Sequence, residues 1–186
     1  LRIVLSNAGP LIALGKLNHL ALLGHLYPEL AIPRTVYREV VAEGSAHGAP
    51  DAFLTRLFVA RYRCTIVEAS KSVLAGYAPP GRLDAGEFEL LALARASQEV
   101  MVLMDDELAR TEARRLRIPA KGTLGILVEA HRANLLTLDE TELLLLTIAA
   151  RPDIWISEQL CRRVLAELGR PSSSGVQFPA ASDASS

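Results

Sequence analysis

A chain of 186 residues, half of them hydrophobic, carries one domain of ordinary size with enough apolar surface for a sizeable core. Its formal net charge of −1 excludes a global basic field that would gather nucleic acid non-specifically. Cys64 and Cys161 stand far apart in no metal-like spacing, which indicates reduced thiols in a cytoplasmic protein. Asn7, Gly9, Pro10 and Lys16 interrupt any leader-like apolar run, and the longest such run, around 143–148, is too short to span a bilayer.

The opening "RIVLSNAGPLIAL" predicts a short buried strand over 2–5, stopped by Gly9-Pro10, with Pro10 suited to the first turn of a helix. Short helices are expected over 11–17 and 19–26, a strand over 30–32 and a helix over 34–43. A loop over 44–50, a helix over 52–60, a strand over 64–68 and a Pro/Gly-rich connection over 71–82 follow. The pattern then predicts helix 83–96, strand 100–104, helix 106–116, strand 118–120 and helix 123–133. Two further helices are expected near 140–150 and 158–168, ahead of a Ser/Ala/Gly/Pro-rich tail at 169–186 that reads as disordered. Strands alternating with helices of this length imply βαβ units, and hence an α/β fold on a parallel sheet.

Several acids stand in unusual places. Glu87 shares a helix face with Leu90, Leu91 and Ala94, where a carboxylate costs energy unless something pairs with it. Asp84 as N-cap with Glu87 three residues on would also make a capping box. Asp105 and Asp106 follow the strand "VMVLM", at the end where open α/β sheets bind ligands. A helix cap accounts for one of them and leaves the other. Glu39 flanks the Val36, Tyr37, Val40, Val41 stripe, and Asn7 ends the first strand. Converging, these oxygens would repel one another unless a hard divalent cation such as Mg²⁺ or Mn²⁺ neutralised them. Such a centre activates water and stabilises charge in phosphodiester cleavage.

The blocks "VLSNAGPLIAL", "IPRTVYREV", "LDAGEFELLALA", "VLMDDELARTEARRLRIPAKGTLGILVEA" and "WISEQLCRRVL", in that order, resemble a PIN domain over about residues 1–168. The nearest branch is that of the toxin ribonucleases (VapC-like) of bacterial and archaeal toxin–antitoxin pairs. The resemblance implies a three-layer α/β/α sandwich with a central parallel sheet, often a homodimer. It also implies a metal-dependent ribonuclease that uses Mg²⁺ or Mn²⁺, with an antitoxin protein as partner. Position by position, the family's acids fall on Asn7, Glu39, Glu87 and Asp105, with Asp106 as an extra ligand and hydroxyls from Ser6 and Thr123 nearby. Asn7 departs from the usual Asp: its amide oxygen can still ligate a cation, but one negative charge is gone and a weaker site follows.

Arg110, Arg114, Arg115, Arg117 and Lys121 crowd the segment after Asp105, and Arg34 and Arg38 precede Glu39. These could hold RNA phosphates, or form a solvated face paired with Glu107 and Glu112. Aromatic residues are 5% of the chain, so no stacking platform for base readout is visible. A phosphorylation receiver is excluded because its acidic pair belongs on the first strand and no Lys follows Lys121. A phosphate loop is excluded by the spacing of Gly9 to Lys16 and by Leu17 in place of Ser or Thr. His19, His25, His47 and His131 show no metal spacing. The rival to an enzyme is a weakened PIN-like module that binds RNA or a protein without cleavage. Asn7 favours that rival, and so does the apolar run 143–148, which must be buried in the chain or in an interface.

Overall fold

The computed structural model describes residues 3–46, 48 and 50–169, so the expected tail lies outside the described residues. The chain runs β1 (Ile3–Ser6), α1 (Ala8–Lys16), α2 (Ala21–Leu26), β2 (Leu30–Pro33) and α3 (Arg34–Tyr37). A π-helical turn (Arg38–Glu43) leads into α4 (Gly44–Ala46), α5 (Pro50–Tyr62), β3 (Thr65–Val67) and α6 (Lys71–Ala75). The second half contains α7 (Ala85–Ala96), β4 (Val100–Leu103), α8 (Glu107–Arg115), β5 (Ala120–Lys121), α9 (Thr123–Arg132), α10 (Leu138–Ala150) and α11 (Glu158–Leu168).

The five strands form one sheet in the order β3-β2-β1-β4-β5, and every pairing is parallel. β1 lies in the middle and is apolar up to Ser6, as expected of a strand covered on both faces. Successive side chains point to opposite faces. Val4, Ile32 and Leu103 pack with Leu11, Leu14, Leu127 and Leu145 on one side. Leu5, Ala31, Val102 and Met104 pack with Leu90, Leu91 and Ala109 on the other. The result is a three-layer α/β/α fold.

From β1 the chain builds outward through β2 and β3, then returns to add β4 on the other flank of β1. The gap beyond the carboxyl ends of β1 and β4, with Ser6 level with Leu103, is therefore the topological switch point. Asn7 and Asp105 follow those two strands.

The differences from the expected elements have local causes. The first helix starts at Ala8 rather than after Pro10, because Pro10 occupies its third position, where proline is tolerated. The expected helix over 34–43 becomes α3 and a π-helical turn, in which i→i+5 bonding widens the spiral around Arg38 and Glu39. The expected loop 44–50 contains the short α4, with positions 47 and 49 outside the described residues. α10 starts at Leu138 because Thr137 and Glu140 form a capping box there. The apolar run in α10 is split: Leu144, Leu145 and Ile148 are buried, while Leu143 and Leu146 face outward.

Candidate functional site

Asn7 is the N-cap of α1, yet its side chain makes no capping hydrogen bond. An N-cap oxygen ordinarily accepts from the second or third helical N–H, and here the third position is Pro10, which has none. The side chain is held instead by its backbone, whose N–H donates to Leu103 O at 2.8 Å across the β1–β4 seam. Asn7 is 6% exposed. Its Oδ1 is buried with no hydrogen-bond partner. An orphaned acceptor of this kind costs about 1–3 kcal/mol unless something supplies the missing contact.

Three glycines open space beside these side chains, Gly86 next to Asn7 and Glu39, Gly9 and Gly122 next to Asp105. A Cβ at Gly86, in the first turn of α7, would lie 3.2 Å from Glu39 Oε2 and 3.4 Å from Asn7 Oδ1, so these oxygens share that gap. A Cβ at Gly9 would lie 3.1 Å from Asp105 Oδ2. A Cβ at Gly122 would lie 2.8 Å from Asp105 Oδ1 and 3.1 Å from Arg110 Nη1. Asp105 is fixed by Thr123, whose N–H donates to Oδ1 at 2.7 Å and whose hydroxyl donates to Oδ2 at 2.6 Å. Burial pushes the Asp105 carboxyl above its ordinary value, while the Thr123 bonds and the Arg110 charge pull it back. The N-termini of α1, α7, α8 and α9 all open on this region, and their partial positive charge offsets some of the carboxylate repulsion.

Glu87 is buried on its helix face and serves as a cap at the same time. The Asp84–Glu87 capping box is present: Glu87 N donates to Asp84 Oδ1 at 2.7 Å and Asp84 N donates to Glu87 Oε2 at 3.1 Å. Burial raises the Glu87 carboxyl above its ordinary value, the bond from the Asp84 backbone lowers it, and the charges of Asp84, Asp106 and Glu39 raise it further. Glu87 thus senses the acids around it. Asp106 caps α8 by accepting from Ala109 N at 2.9 Å, which leaves Asp105 to the interior. An open cavity of about 360 Å³ adjoins Glu39 and Gly86, walled by Thr35, Arg38, Asp84 and Ala85.

The raised pKa has a sign that can be checked. An acid that holds its proton more tightly when folded costs stability as pH rises from its unfolded value through its folded value, and the cost persists above both. Gln at position 87 keeps the capping box and removes the charge. Without metal, Glu87→Gln is expected to melt above wild type at neutral pH and level with it below about pH 4, where both side chains are uncharged. Melting curves at the two pH values check this.

The basic candidates separate. Arg34 pairs with Glu68, Arg114 with Glu107, Arg115 with Glu112 and Lys121 with Glu129. The solvated-face reading holds for Arg114 and Arg115. Arg110 lies behind Asp105 with its Nε buried and without a hydrogen-bond partner. Arg38 is exposed at the cavity and forms no ion pair among the described residues. Ser6, expected to add a hydroxyl, turns it onto Asn7 O at 3.1 Å. The sequence reading missed Asp84 as a wall of the cavity. It also missed Glu89, which is 6% exposed and accepts from Thr35 N at 2.8 Å and Ala69 N at 3.0 Å, tying α3 and the segment after β3 to α7.

The donor set is all oxygen, which suits a hard divalent cation, and the orphaned Asn7 Oδ1 near Glu39 could serve as a neutral ligand. Among the described residues, no group of three or more His, Cys, Asp or Glu side chains is arranged to hold a metal ion. No helix among the described residues is long and apolar enough to cross a membrane. No curated protein matches the chain. A family model described as a PIN domain matches residues 3–170, and the chain belongs to the PIN-domain family.

Proposed function

We propose that the chain is a metal-dependent ribonuclease that hydrolyses RNA phosphodiester bonds with Mg²⁺ or Mn²⁺. Asn7, Glu39, Glu87 and Asp105 form its centre, and Asp106 is an outer ligand. The observation that carries this reading is the buried, unpartnered Asn7 Oδ1 sharing the Gly86 gap with Glu39. A bound divalent ion would lower the pKa of a coordinated water and offset the charge that develops on the phosphate. Asn7 and Glu39 would hold it directly, with Asp105 or Asp106 completing the set through water. Thr123 orients Asp105 by two hydrogen bonds, and the capping box orients Glu87. Glu87, with its raised affinity for a proton, is placed to accept one from an attacking water. Of the basic candidates Arg34, Arg38, Arg110, Arg114, Arg115 and Lys121, Arg38 is the one that lines the cavity, and it would meet the RNA backbone there.

The biological setting is proposed with it: a cytoplasmic toxin of a toxin–antitoxin pair, inhibited by an antitoxin protein and acting as a homodimer. The free thiols of Cys64 and Cys161 support the reducing compartment. The outward Leu143 and Leu146 of α10 offer apolar surface for a second copy. A second reading, a module that binds RNA or protein without cleavage, is favoured by the missing charge at Asn7. It is favoured also by Asp105, each of whose oxygens already accepts from Thr123.

Metal-induced stabilisation separates them. Mn²⁺ is expected to raise the melting temperature at neutral pH, because the ion binds the folded centre and not the unfolded chain. The shift should shrink toward about pH 4 as the carboxylates protonate. Glu39→Gln should remove most of it. A melting temperature unmoved by Mn²⁺ at neutral pH favours the binding module.

A further inference from the structure

Resting on the nuclease reading, we propose that Arg38 is the residue that holds a phosphate of the RNA strand, seated in the cavity between α3 and the start of α7. Glu39 and Asp84 stand in the walls of that cavity, and Glu87 lies close enough to Asp84, Asp106 and Glu39 for their charges to raise its proton affinity. A polyanion entering there is repelled unless a cation is built into the same walls.

Of the seven basic candidates, five are committed elsewhere and Arg117 does not line the cavity. Arg34, Arg114, Arg115 and Lys121 are bonded to Glu68, Glu107, Glu112 and Glu129. Arg110 is turned toward Asp105 across Gly122. Arg38 is exposed, lines the cavity and forms no ion pair among the described residues. It directly precedes Glu39 in the π-helical turn, so one backbone segment presents a cation and a candidate metal ligand to the same space. The facing wall is the first turn of α7, where Asp84, Ala85 and Gly86 leave room because Gly86 carries no side chain. That wall is rigid, since Glu89 ties Thr35 N to α7 at 2.8 Å. A planar guanidinium on such a rim suits two-point recognition of a phosphate, and an ammonium there would act as a point charge only.

The test measures binding of a short fluorescein-labelled single-stranded RNA by anisotropy across a salt series, with Arg38→Gln, Arg38→Lys and Arg34→Gln beside wild type. Arg38→Gln is expected to weaken binding about 5- to 10-fold and to flatten the slope of log affinity against log salt by about 0.7, the loss of one phosphate contact. Arg38→Lys should restore the slope and only part of the affinity, and Arg34→Gln should behave as wild type. All variants should keep the Mn²⁺-induced melting shift. If that shift is absent in every protein while Arg38→Gln still flattens the slope, the nuclease reading fails and the phosphate seat stands. Wild-type affinity and slope in Arg38→Gln, or no RNA binding by wild type, overturns the proposal.

Discussion

Asn7→Asp is expected to tighten Mn²⁺ binding by about 30-fold. One unit charge about 4 Å from another is worth about 1 kcal/mol under full water screening, so an added carboxylate beside a divalent ion gains about 2 kcal/mol. Partial burial of the centre makes that a lower bound. The same charge is a liability without metal, because it stands across the Gly86 gap from Glu39. Metal-free Asn7→Asp should therefore melt below wild type and, with Mn²⁺ in excess, gain more than wild type gains. Calorimetric titration and melting curves with and without Mn²⁺ check both halves. Because the natural Asn7 Oδ1 is already buried without a partner, the backbone need not move to receive the new ligand.

Glu89→Ala is expected to cost about 3 kcal/mol of stability, or roughly 10 °C in melting temperature for a chain of this size. The carboxylate is buried and accepts the backbone N–H groups of Thr35 and Ala69. Truncation leaves both donors unsatisfied. Glu89→Gln should fall between, since its amide offers one acceptor and sets an N–H against the second donor. The variant also loosens the wall that carries Arg38 and Glu39, so RNA affinity should drop further than at any other position outside the cavity. Urea denaturation gives the first quantity and anisotropy the second.

Sequence reading captured what depends on short-range pattern. The apolar runs "IVLS" and "VMVL" announced parallel strands buried on both faces, and their carboxyl ends marked the switch point. Counting caps implied that one of Asp105 and Asp106 was spare, and the structure makes Asp106 the cap of α8 and turns Asp105 inward to Thr123. The capping box at Asp84 and Glu87 was equally legible, and forming it does not take Glu87 away from the charges of Asp106 and Glu39. Pro10, at the third helical position and without an N–H to donate, is the sequence signal that the Asn7 oxygen is spared capping duty.

What stayed hidden depends on which surfaces meet. Gly9, Gly86 and Gly122 read as turn or helix-start residues, and only packing reveals that a Cβ at each would strike Asp105, Glu39 or Asn7. Glu89 leaves no local signal, because its two donors come from segments 54 and 20 residues away in sequence. The π-helical turn has no hydrophobic period distinct from an α-helix over six residues, so the extra residue around Arg38 and Glu39 left no trace in the pattern.

The central claim is metal-dependent cleavage at the Asn7–Glu39 gap, and the most direct measurement is the fragmentation of a labelled single-stranded RNA by the purified chain. Wild type is expected to cut slowly with Mn²⁺ and not at all with EDTA, Asn7→Asp to cut faster, and Glu39→Gln to lose cleavage while keeping its fold. Cleavage that persists in EDTA or in Glu39→Gln, or no cleavage by either wild type or Asn7→Asp across varied RNAs, would contradict the account.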